Sequence, residues 1–428
     1  MIDQSGFNSR RDFLRAGALA LASGVVLSQA RLFAQETENK PGSKPDKGAS
    51  AKRVVLVYAN GGPSQFETFD PKPGQKTGAP FKVLKTDVPG FTPVEHLPEI
   101  AKLAGHFCLI RNLRSNTVDH SHARHLMHTG WLSNPTIVRP GLGNIVYHQM
   151  GDLEFDLPGF VKLGGDVAPG GFLGSGYSSF AVQKAGEQVK NLEYADGVDK
   201  DRLDRRMKIV REMDDDFGKA RDDEAVKSRQ AALDKARRLM NSPLRDRFLL
   251  DDESADVWKS YGESEFAKQC VVARRLLEAG VKAIEIQQDG WDTHDDAFNR
   301  NTSNCKNLDQ PFGAFIRDLK QRGMLDSTLV LFYGDFGRSP KLTSTNGRGH
   351  SAANFCALLA GGGVKGGQVI GETNEDGTSL VTDSHNPRDL FATIGHLCGW
   401  QTQETFMAGK RPTYLVDPEA LPIKAVYS

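Results

Sequence analysis

Residues 52–64 read KRVVLVYANGGPS. Val54 to Tyr58 form an unbroken apolar run, and Asn60, Gly61 and Gly62 follow at once. A strand apolar on both sides must be covered on both faces, as parallel sheets are. The paired glycines supply the tight turn that ends it and let a neighbouring backbone or ligand approach closely.

Similar runs recur downstream, most of them behind a helical pattern. FCLIRNL (107–113) follows PVEHLPEIAKLAG, and VKAIEIQ (281–287) follows EFAKQCVVARRLLEAG with a glycine stop at Gly280. STLVLFYGDFG (327–337) follows LDQPFGAFIRDLKQRGM, NFCALLAGGG (354–363) comes next, and NPRDLFATIGHLCGW (386–400) reads as a late helix. This alternation predicts an α/β fold with a mostly parallel central sheet flanked by helices on both faces. Ligands in such folds sit outside the carboxyl ends of the strands.

The ends of the chain's pattern differ from its middle. SRRDFLRAGALALASGVVLSQARLFAQ carries Arg10 and Arg11, then a short apolar run from Ala16 to Leu27. That is a secretory signal of twin-arginine type over residues 1–34, cleaved after Ala30 or Ala34. It predicts a periplasmic or extracellular protein, and export in the folded state leans towards a metalloprotein. The polar composition of residues 35–52 predicts a disordered linker. One α/β domain then runs over 53–428, with a charged helical insertion at about 198–250 that could carry a protein partner.

Composition excludes several classes. Lys plus Arg and Asp plus Glu are 54 each, which leaves no electrostatic footprint for nucleic acid or an anionic membrane. No segment after the signal is long and apolar enough to span a bilayer. The five cysteines are scattered without CxxC spacing, against both a disulfide framework and a cysteine metal site. Buried free thiols are expected instead.

Four stretches could carry chemistry. QQDGWDTHDD (287–296) places Asp292 and His294 two apart after a strand; an extended segment puts both on one side, where they could share a metal. Aspartate and neutral imidazole suit zinc, with magnesium, calcium or manganese as alternatives. YGDFGRSPKLTSTNGRGH (333–350) places Asp335 at a strand end, Arg338 as a clamp for an anion, and His350 behind Gly347 and Gly349. NGGPSQFETFDPKPG (60–74) adds the carboxylates Glu67 and Asp70, each of which taken singly reads as a loop residue. Neither a GxGxxG nor a P-loop pattern is present at this turn. DHSHARHLMHTG (119–130) holds four of the eleven histidines. If it is helical, His122 and His125 share a face, as do His125 and His128, though such spacing is commoner on ordinary helix surfaces than in metal sites.

GGPSQFETFDPKPG, GWDTH, GDFGRSPK, GRGHSAANFCALLAGGGVKGGQVIGET and the late helix together, in this order, resemble the secreted bacterial family of domain of unknown function 1501, from about Val54 to about Trp400. That family is grouped with the alkaline phosphatase and sulfatase-like superfamily. The resemblance implies an alkaline phosphatase-like sandwich with metal ligands at strand ends, and hydrolysis of small or polymeric phosphate or sulfate esters. It implies Asp292, His294, Asp335, His350 and Asp70 as metal residues, Asp335 serving as ligand or as orienter of one. By its length and Thr129-Gly130 ending, HSHARHLMHTG matches the sulfatase nucleophile segment, with Arg124 in a matching place and His120 where a nucleophilic Cys or Ser would stand. Formylglycine chemistry is thereby excluded there. His120 would be a ligand, a general acid or a direct nucleophile, the other choice of nucleophile being a metal-activated water. Phe336 after Asp335, Asn60 at the first strand end and Gly349 before His350 all depart from the superfamily pattern, which implies a thinned site with one metal where relatives hold two. The alternative expectation is a non-catalytic periplasmic or surface protein that keeps the fold for metal or partner binding.

Overall fold

The computed structural model describes residues 49–187, 189, 193–194, 196–219, 224–400, 402 and 404–428. The segments expected to be the signal and most of the linker lie outside the described residues. Strands β1 (Arg53–Ala59), β2 (Phe107–Leu113), β3 (Phe160–Leu163), β4 (Phe180–Val182), β5 (Ala283–Gln288) and β6 (Thr328–Gly334) enter the central sheet in chain order. Strands β7 (Gly337–Leu342) and β8 (Arg348–Ser351) then form a separate hairpin. Strands β9 (Phe355–Ala360) and β10 (Gln368–Ile370) return to the sheet. The eight strands lie in the order β10-β2-β9-β6-β1-β5-β3-β4. Every pairing is parallel except the two made by β9. The fold is thus the mostly parallel α/β sheet with flanking helices that the sequence pattern predicts.

The alternation of β1 explains its unbroken apolar run. Val55, Val57 and Ala59 face a core built with the helices Glu265–Ala279 and Ala297–Gln321. Val54, Leu56 and Tyr58 face a second core with the helices His120–Thr129, Leu142–Met150 and Pro387–Leu397. Successive side chains point to opposite faces, so both sets must be apolar. Each fully buried aliphatic side chain contributes roughly 1.5–3 kcal/mol over its exposed state. All five cysteines are buried and unpaired among these cores.

The charged stretch forms two helices, Lys200–Lys219 and Glu224–Asn241. Arg237 pairs with Asp204 at 2.6 Å and Arg229 with Asp214 at 3.2 Å, so ion pairs tie the two together. Among the described residues, no helix is long and apolar enough to cross a membrane.

Because β1, β2, β5 and β6 run parallel, their carboxyl ends share one edge of the sheet. The loops after these four strands carry Asn60-Gly61-Gly62, the segment to His120, Asp289–His294 and Asp335 respectively.

Candidate metal centre

Four side chains converge at that edge. His120 opens the helix His120–Thr129, which Asp119 caps by accepting a hydrogen bond from the His122 backbone N–H at 3.0 Å. Its Nε2 lies 3.4 Å from Asp292 Oδ1. His294 Nε2 stands 3.0 Å, and His350 Nε2 3.2 Å, from the same oxygen. The two Nε2 atoms of His294 and His350 are 2.8 Å apart. Ligand atoms of His120, Asp292 and His350 all fall within 4.8 Å of one another, a group that could hold a metal ion.

Two further observations favour a cation there. His120 Nε2 is buried and has no hydrogen-bond partner among the described residues. A buried polar atom left unpaired is costly and calls for a missing partner. His350 Nδ1 donates to the Val118 carbonyl at 2.8 Å, which leaves its Nε2 lone pair facing the cluster. Burial holds His350 below the ordinary imidazole value, so it is neutral at pH 7. Burial pushes the Asp292 carboxyl up, but Arg338, His350 and His294 outweigh it and bring it down to about 2. One carboxylate and the imidazole nitrogens of His120 and His350, with His294 Nε2 beside both Asp292 and His350, are donors that suit zinc or a similar divalent ion.

The supporting contacts set the geometry. Asp335 is fully buried; Oδ2 accepts from His120 Nδ1 at 2.7 Å and Oδ1 accepts from the Tyr58 hydroxyl. Asp335 thus stands behind His120, with its oxygens turned to the imidazole and the Tyr58 hydroxyl, and lies outside the group of ligand atoms that could hold a metal ion. A carboxylate on Nδ1 fixes the tautomer that presents the Nε2 lone pair. Burial, then Asp335, holds the Tyr58 hydroxyl far above its ordinary value, so it remains a donor. Arg124 bonds Tyr58 Oη at 3.2 Å and Asn60 Oδ1 at 2.6 Å, and Asn60 Nδ2 reaches Asp289 at 2.6 Å.

Gly61 shows how closely the first turn packs. At φ +111° it adopts the left-handed region, and a Cβ there would lie 2.5 Å from the Asp292 backbone nitrogen. No side chain fits between this turn and the segment that carries Asp292.

Two expected residues are placed otherwise. Arg338, expected to clamp an anion, is fully buried. Its guanidinium bonds the carbonyls of Gly62 (2.9 Å), Trp291 (3.1 Å) and Gly61, and its Nη2 meets Asp292 Oδ1 at 2.7 Å. It ties three loops together and holds Asp292, so its donors face inward instead of towards a substrate. Asp70, expected among the metal residues, is engaged by Lys72 and Arg111 at 3.0 Å each and by Thr373 at 2.6 Å. None of these partners belongs to the cluster. Glu67 forms a wholly buried pair with Arg348 at 2.7 Å.

The other histidines of the helix separate by environment. His122 is exposed beside Asp119, His125 is half-buried, and His128 reaches the buried Glu285 at 3.3 Å. Lys162 meets the same carboxylate at 2.8 Å. Sequence reasoning missed Tyr58, Asn60 as a rim ligand for Arg124, and the whole β7–β8 hairpin, whose register pairs Arg338 with His350.

The family described as Protein of unknown function (DUF1501) matches residues 51–427, and the chain belongs to it. No curated protein matches the chain. Among solved structures, the lipoteichoic acid synthase LtaP from Listeria monocytogenes is 13% identical at TM-score 0.39, over 86% of this chain and 79% of that one. Alkaline phosphatase from the Antarctic bacterium TAB5 is 14% identical at TM-score 0.36, over 84% of this chain and 100% of that one. A protein in the alkaline phosphatase superfamily from Vibrio parahaemolyticus is 11% identical at TM-score 0.39, over 88% of this chain and 74% of that one.

Proposed function

We propose that this member of the DUF1501 family is an exported, metal-dependent hydrolase of phosphate or sulfate esters. The observation that carries the reading is the convergence of His120 Nε2, Asp292, His294 and His350 Nε2, with the first nitrogen buried and without a hydrogen bond among the described residues. These four residues would hold one divalent ion, zinc first among the choices. A bound divalent cation supplies Lewis-acid polarisation of an ester oxygen.

The chain's own residues do the rest. Asp335 and Tyr58 keep the His120 proton on Nδ1. Arg338 fixes the Asp292 carboxylate against the turn at Gly61 and Gly62. Arg124, exposed and one helical turn from His120, would meet the ester's anionic group.

A second reading has its own support: the residue facing the cluster from the helix's first turn is an imidazole, with neither hydroxyl nor thiol, and Arg338 is buried. That arrangement fits a protein that binds a metal without turnover. Turnover of p-nitrophenyl phosphate and p-nitrophenyl sulfate by protein reconstituted with zinc, magnesium, manganese or calcium decides between them. The hydrolase reading expects turnover that Asp292→Ala abolishes. Inactivity on both esters with every metal, in protein that binds the metal, sinks the hydrolase and leaves the binding protein.

A further inference from the structure

At the far end of the helix His120–Thr129 lies a second candidate site. A cavity of about 560 Å³ opens between the helix's last turn, the segment after β2 and the start of the helix Pro387–Leu397. That volume falls within the range of small-molecule sites. None of the four converging donors lines it.

Its charge is unbalanced. Arg114, Arg139 and Arg388 line it against one carboxylate, Asp417. Asp417 lies 3.1 Å from Arg388 and is taken up by it. Arg114 and Arg139 have no ion-pair partner among the described residues. Arg139 is half-buried, with its guanidinium 3.6 Å from the Trp131 ring centroid and one N–H donated to the Tyr414 carbonyl at 3.3 Å. Burial lowers it to about 10, so it remains a cation at neutral pH. Asp417, in contact with Arg388, acts on Arg139 only at longer range. Taking a cation partly out of water without a close counter-charge costs free energy, and an entering anion recovers part of it. The rest of the wall is mixed: Leu126, Trp131 and Pro387 give it an apolar floor, and Ser115, Asn116 and Asn386 add polar groups. Arginine forks matched to an apolar floor suit an anion carried on an apolar body.

We infer that this cavity binds a small organic anion, a phosphate or carboxylate group borne on an apolar ring or short chain. The inference does not rest on the hydrolase reading, since it uses neither the metal cluster nor its ligands.

Isothermal titration of the metal-free full chain, with chelator present, uses phenyl phosphate and benzoate as probes. Saturable binding of at least one probe, one per chain, is expected. It should weaken tenfold or more in Arg114→Gln and in Arg139→Gln and persist in His294→Ala. The probe that binds more tightly identifies the head group. Arg114 is exposed, so its variant serves even if replacing Arg139 compromises folding. Absence of saturable binding of both probes at millimolar concentrations overturns the proposal. So does binding unchanged in Arg114→Gln, or binding lost in His294→Ala.

Discussion

Asp335→Asn should weaken metal binding without disturbing the sheet. The carboxylate now accepts two hydrogen bonds, from His120 Nδ1 and from the Tyr58 hydroxyl. An amide of the same shape has one acceptor and one donor. If its oxygen stays with Tyr58, its NH₂ faces Nδ1, which must give up its proton; the proton then sits on Nε2 and blocks the lone pair aimed at Asp292. If its oxygen turns to His120, the NH₂ faces the Tyr58 hydroxyl and the support behind the imidazole weakens. Removing such a partner typically costs ~10–100-fold in metal affinity, or ~1.4–2.7 kcal/mol. Tyr58→Phe leaves the carboxylate in place and should cost less than Asp335→Asn. Zinc titration of metal-free protein against a chromophoric competitor reads the affinity, and thermal melting of the metal-free forms checks the fold. Equal zinc affinity in a well-folded Asp335→Asn variant refutes the orienting role.

Gly61→Ala should lower both stability and metal affinity, because its Cβ would meet the Asp292 backbone at 2.5 Å at a positive φ; the cost is ~1 kcal/mol or more in chemical denaturation. Glu67→Gln leaves Arg348 buried without its counter-charge and should destabilise by ~3–5 kcal/mol, read as a lower denaturation midpoint. Asp309, buried while accepting from the Glu99 and Ile100 backbone N–H groups, is raised to about 6 by burial. A carboxyl raised in the fold contributes stability that is full below about pH 4 and lost as pH rises through about 6. The stability of the wild type relative to Asp309→Asn should therefore fall by ~2–3 kcal/mol between pH 4 and pH 7; a flat difference contradicts the assignment.

The strands that the sequence made readable were the ones buried on both faces. VVLVY, AIEIQ and TLVLFYG need apolar residues on each side, and a run of that kind is visible without structure. Strands β3 and β4 are four and three residues long, too short to show a period. The hairpin strands GRSPKL and RGHS contain proline, glycine and charge, so nothing marks them as strands; they exist because Arg338 and Arg348 bury their guanidinium groups against carbonyls and Glu67.

The same distinction separates the site residues. Asp292, His294 and His350 stand where strand ends and glycine turns make them conspicuous, and the structure brings them together with His120. Arg338 and Asp70 are conspicuous for the same reason, yet their partners are remote in sequence: the Gly61 and Gly62 carbonyls for one, Thr373 and Arg111 for the other. A charged side chain at a strand end signals a buried contact as readily as a functional one. Tyr58 went unnoticed because a tyrosine closing an apolar strand reads as core. Its position on the same face as the neighbouring Tyr333 of β6, one residue from the level of Gly334, was the available clue that it reaches Asp335.

Metal content per chain tests the central claim most directly. Protein loaded with zinc, passed through a desalting column and analysed by inductively coupled plasma mass spectrometry should retain one ion per chain. The double variant Asp292→Ala/His294→Ala should retain none while keeping its far-ultraviolet circular dichroism. Wild-type protein that retains no zinc, magnesium, manganese or calcium, or a double variant that retains as much as the wild type, contradicts the account.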